Sequence, residues 1–102
     1  MKDIDITNKE ELIRVMRKNN IVFAAIFGSR AKGTARPDSD YDFLVEFDKR
    51  YPVPFSKLFR ARDQVENLLG EEIDLVTIGA LHPLIKEEIF KTMRVLYGRR
   101  KR

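Results

Sequence analysis

The chain has 102 residues, of which 20 are Lys or Arg and 16 are Asp or Glu, giving a formal net charge of +4. That length suits one domain around one core, and the lack of cysteine excludes disulfide scaffolds, thiolate metal sites and a cysteine nucleophile. The longest apolar run, residues 21–27, falls far short of the ~20 residues that span a bilayer, and the polar opening MKDIDITNKEEL has no signal-peptide core, so the expectation is a cytoplasmic protein.

Thr7 and Glu10 fit a capping box, in which the Thr side chain and a Glu three residues on satisfy each other's free backbone N–H groups. Leu12, Ile13 and Met16 recur at helical spacing, predicting a helix over 8–19 that stops at Asn19-Asn20. IVFAAIF, residues 21–27, is continuously apolar and closed by Gly28, the pattern of a buried central strand. Residues 28–39 are small, polar and turn-forming, with Pro37-Asp38-Ser39 as a turn signal. YDFLVEF, residues 41–47, is the second strand and 50–54 a loop. Phe55, Leu58, Phe59, Val65, Leu68 and Leu69 make one helical face closed by Gly70. EIDLVTI, residues 72–78, is the third strand. Pro83 opens a last helix, with His82 flanking its start and Leu84, Ile85, Ile89 and Phe90 as its buried face. Val95-Leu96-Tyr97 is a short terminal strand. This order predicts an α+β (two-layer α/β) fold: a small mixed sheet of three to four strands with helices packed on it. No repeat or linker divides the chain, so a single domain over 1–98 is expected, followed by a solvated basic tail over 99–102.

The chemistry concentrates in the dozen residues between the first two strands, since loops of that length inside a compact domain are uncommon and often functional. Gly28-Ser29 opens the loop and Asp40-Tyr41-Asp42 closes it, with ten residues between them. Gly28 allows a tight turn and close approach to a ligand. Ser29 adds a hydroxyl where a short helix over 29–32 would aim free N–H groups at an anion such as phosphate. Arg30 follows directly as a candidate phosphate contact, whereas Lys32 and Arg36 read as solvated. Asp40 and Asp42, two apart on an extended segment, leave the same face, and Tyr41, Phe43, Val45 and Phe47 leave the other. Like charges ~4 Å apart repel by about 4 kcal/mol at an effective dielectric of 20, so a shared proton or a cation is needed to offset them. Asp74, between Ile73 and Leu75, is a third carboxylate that a neighbouring strand can place beside Asp42, at a position where an unpaired acid would be costly to bury. Oxygen donors beside a phosphate cradle suit Mg²⁺, and three of them suit a two-metal phosphoryl- or nucleotidyl-transfer site. His82 is the only histidine, which excludes a metal site built from histidines.

GSRAKGTARPDSDYDFLVEF, followed by Asp74 in EEIDLVTI, resembles the signature of the DNA polymerase β-type nucleotidyltransferase superfamily, and more narrowly the minimal nucleotidyltransferase (MNT) proteins; the likeness extends through LHPLIKEEIF. The resemblance implies Mg²⁺-dependent transfer of AMP from ATP to a hydroxyl. In such families the positions matching Gly28 and Ser29 hold the β- and γ-phosphates. Those matching Asp40 and Asp42 bind two Mg²⁺ ions, and the acid matching Asp74 binds the ion that activates the acceptor. It also implies an antitoxin that adenylylates a partner ribonuclease with a HEPN domain. Two other readings stay open: a non-catalytic antitoxin that neutralises its partner by contact, and a transferase acting on a small molecule or an RNA end, with the basic tail touching RNA. Nucleic acid is not the favoured partner.

Overall fold

A computed structural model describes residues 6–28, 31, 41–50 and 55–98. Its elements are α1 (Ile6–Lys18), β1 (Ile21–Phe27), β2 (Tyr41–Phe47), α2 (Phe55–Leu69), β3 (Ile73–Thr77), a 3₁₀ turn (Ile78–Ala80), α3 (Pro83–Thr92) and β4 (Arg94–Tyr97). The sheet order is β3-β2-β1-β4. β1 runs antiparallel to both of its neighbours, whereas β2 and β3 are parallel. A parallel pair needs a crossover connection, and α2 supplies it. The expected α+β fold is therefore present, and its mixed sheet has four strands, the upper end of the three to four expected.

Local chemistry sets the boundaries. Asn20 takes a left-handed φ of 63°, a conformation that Asn tolerates better than most residues, and this turns the chain from α1 into β1. The buried Asn19 amide donates to the Val15 carbonyl and to Gln64 Oε1, each at 2.8 Å, tying α1 to α2. α1 starts at Ile6, so Thr7 sits inside the first turn and not at its cap. At the other end of the chain, His82 caps α3: its Nδ1 accepts from the Leu84 N–H at 3.2 Å, and Pro83 holds the first helical position.

Both faces of the sheet carry apolar clusters, which is why β1 and β2 read as nearly continuous hydrophobic runs. On one face Ala24, Ile26, Tyr41, Phe43, Val45 and Ile73 pack against Leu12 and Met16 of α1 and Ala61 and Val65 of α2. On the other, Phe23, Ala25 and Leu44 meet Ile78 and Ile89, with Phe27, Phe90 and Met93 at the margin. Only the second half of α3 reaches this cluster. Leu84 and Ile85 in its first turn are 74% and 55% exposed, against the expectation that they belong to a buried face. Phe59 of α2 also departs from its expected burial: Ala61 and Val65 turn inward, while Phe59 lies outward under the Arg62 guanidinium, 5.4 Å from the ring centroid.

Candidate functional site

The strand register builds the site. Asp42 pairs with Phe27 across β1 and with Asp74 across β3. Register partners on adjacent strands lie about 4.8 Å apart with their side chains on the same face. Asp42 and Asp74 therefore stand side by side. They share the face of Leu44, opposite Tyr41, Phe43 and Val45, at the end of the sheet where β1 finishes and β2 and β3 begin.

Asp74 is exposed, so the expectation of a buried, costly charge is corrected. β3 is the edge of the sheet, and the apolar cluster on this face, centred on Phe23, Ala25, Leu44, Ile78 and Ile89, does not extend over position 74. Water can reach the carboxylate, which lowers the cost of keeping it ionised. Asp42 is half-buried, one residue before the fully buried Phe43.

Gly28 sits directly against Asp42. Its φ is +77°, and a Cβ added there would lie 2.6 Å from Asp42 Oδ2. The sequence gives Gly28 the task of approaching a ligand; the structure gives it the further task of leaving room for the Asp42 carboxylate. That contact follows from the register of β1 against β2, which sets the residue after Phe27 beside the Asp42 carboxylate. Ala31 is helical and its N–H donates to the Gly28 carbonyl at 3.1 Å.

Of the six residues singled out from the sequence, the structure brings Gly28, Asp42 and Asp74 together. Ser29, Arg30 and Asp40 lie outside the described residues, as do Lys32, Arg36 and Asp38. Among the described residues no group of three His, Cys, Asp or Glu side chains converges on one point, and no helix is long and apolar enough to cross a membrane. His82 is spent on its cap.

The chain matches the family described as polymerase beta, nucleotidyltransferase, over residues 10–102. A protein of Methanocaldococcus jannaschii named as a protein adenylyltransferase is 36% identical over 81 residues, which is 79% of this chain and 85% of that protein. A solved minimal nucleotidyltransferase superimposes with a TM-score of 0.76 at 30% identity, covering 85% of this chain and 87% of the other. The same fold occurs in a complex of a tri-AMPylated Shewanella oneidensis HEPN toxin with its MNT antitoxin, with a TM-score of 0.68 at 17% identity, covering 91% of this chain and 71% of that one.

Proposed function

This chain belongs to the polymerase beta nucleotidyltransferase family, and we propose that it transfers AMP from ATP to a hydroxyl on a partner protein, an antitoxin adenylylating a toxin with a HEPN domain. The observation that carries this reading is the register pairing of Asp42 with Asp74 beside Gly28. Support for AMP as the transferred group and for a protein acceptor comes from the relatives named as protein adenylyltransferases. Support for a HEPN partner comes from the AMPylated toxin in complex with an MNT of this fold.

The donor set fits Mg²⁺: two carboxylates side by side, one of them open to water, with no cysteine in the chain and no histidine in the site. Asp42 and Asp74 would hold the ions, with Asp40 as the third acid. Bound there, Mg²⁺ supplies charge neutralisation for the triphosphate and a lowered pKa for the acceptor hydroxyl. Gly28 and Ser29 then bind the β- and γ-phosphates through backbone N–H groups and the Ser29 hydroxyl, and Arg30 adds a guanidinium. Held this way, the α-phosphorus faces the acceptor oxygen for in-line displacement. The new O–P bond forms as the bond to the β-phosphate oxygen breaks; the acceptor hydroxyl gives its proton to water, and pyrophosphate leaves with the electron pair. The chain's own share is positioning and charge.

The test uses the protein with Mg²⁺, a HEPN-domain partner and ATP labelled at either the α- or the γ-phosphate. Label reaching the partner from α-labelled ATP alone is the expected result. Label from γ-labelled ATP, or label on nucleic acid or small molecules in place of protein, refutes the proposal.

A further inference from the structure

The end of the sheet remote from Asp42 and Asp74 carries a second, cationic feature. Ile21 and Val22 at the start of β1, Tyr97 and Gly98 at the end of β4, Asn20 and the turn from Asp48 to Arg50 line an open cavity of about 420 Å³, which Arg17 of α1 also borders. The Tyr97 hydroxyl donates to the Ile21 carbonyl, fixing the ring. The Arg17 guanidinium lies over that ring, 5.2 Å from its centroid. Asp48 holds the Arg50 fork, with Nη2 at 2.7 Å from Oδ2 and Nε at 3.1 and 3.2 Å from the two oxygens. A second cavity of about 410 Å³ shares Arg17 and adds Arg14, Glu10 and Ile13. Lys18 and Lys49 are exposed alongside, and from Gly98 the sequence continues as Arg99-Arg100-Lys101-Arg102.

We propose that this end of the molecule binds a single-stranded polynucleotide, with Arg17 meeting a phosphate and a base lying against its guanidinium plane. A guanidinium matches phosphate in a way that an ammonium group does not, and with the Arg50 fork held by Asp48 the phosphate contact falls to Arg17. An arginine plane braced on an aromatic ring is a surface on which an unstacked base can lie. Cations continue past the cavity through Arg14, Lys18 and Lys49, so the ligand is a chain of phosphates and not one nucleotide. A duplex keeps its bases stacked and gains only the phosphate contacts. Because the acids sit at the opposite end of the sheet, binding here and nucleotidyl transfer there are separable.

Fluorescence anisotropy of labelled 20-nucleotide RNA, DNA and duplex, titrated with the full chain across salt concentrations, tests this. The wild type is expected to bind single strands more tightly than duplex, with affinity falling steeply with salt; the RNA and DNA arms identify which polymer is preferred. At about −0.7 in the log–log slope per phosphate contact, Arg17→Ala loses about 0.7 from the slope and binds about 5-fold more weakly at 0.1 M salt. Its AMP transfer should match that of the wild type. Should the alanine variant fold poorly, Arg17→Lys keeps the charge and loses fork and plane, so affinity falls while the slope holds. The proposal is overturned if the wild type binds neither single strand at 0.1 M salt. It is equally overturned if duplex binds as tightly, if polyglutamate competes charge for charge, or if folded variants bind like the wild type.

Discussion

Gly28→Ala separates the geometry of the acids from the stability of the fold. At φ +77° an alanine pays about 1–2 kcal/mol for the left-handed conformation. Its Cβ would also start 2.6 Å from Asp42 Oδ2, well inside the ~3.5 Å at which non-bonded heavy atoms normally rest. The side chain of Asp42 can yield more readily than the backbone, so the carboxylate retreats by close to 1 Å. A total near 2 kcal/mol lowers the melting temperature by about 8–16 °C for a domain of this size, leaving the protein folded at 25 °C. Misplacing a reacting group by about 1 Å costs on the order of 100-fold in rate, so AMP transfer should fall by that factor in a folded protein. Gly70→Ala is the control: its φ is +71°, yet nothing lies within 4 Å of the added Cβ. It should show a similar loss in the thermal melt with transfer unchanged. Wild-type transfer by Gly28→Ala, or an equal loss of transfer in Gly70→Ala, would refute the reasoning.

Asp42→Asn and Asp74→Asn should each reduce transfer by a factor of about 10²–10³ or more, with melting temperatures equal to or above the wild type because like charges no longer face each other; circular dichroism melts beside labelled-ATP assays check both. Chelation with EDTA should stop transfer and added Mg²⁺ restore it, read in the same assay. Burial pushes the Tyr97 hydroxyl well above its ordinary pKa of 10, with Arg17 pulling the other way. The unfolded chain therefore gives up this proton first, the stabilisation is complete below about pH 10, and it is lost as pH rises beyond that. Denaturant titrations from pH 8 to 11 should show a steeper fall for the wild type than for Tyr97→Phe, and parallel curves would contradict the assignment.

The strands were legible because the residues that make them have one job. IVFAAIF is apolar at every position since β1 lies inside the sheet with both faces covered, and YDFLVEF breaks that pattern only at Asp42 and Glu46. Three departures share one cause, the spatial order of elements that periodicity does not encode. Asp74 is exposed because β3 is an edge strand. Leu84 and Ile85 are exposed because α3 meets the sheet only through its second half. The contact between Gly28 and Asp42 depends on the register of two strands joined by a long loop. The pairing of Arg17 with Tyr97 joins residues 80 positions apart, and no local pattern announces it.

The central claim, that Asp42 and Asp74 share a cation at the nucleotide site, is tested most directly by anomalous diffraction from crystals grown with Mn²⁺ and a non-hydrolysable ATP analogue. The expected result is an anomalous peak about 2.1 Å from carboxylate oxygens of both residues, with the analogue's phosphates running toward Gly28. Manganese bound elsewhere, or a nucleotide seated away from these two side chains, would contradict it.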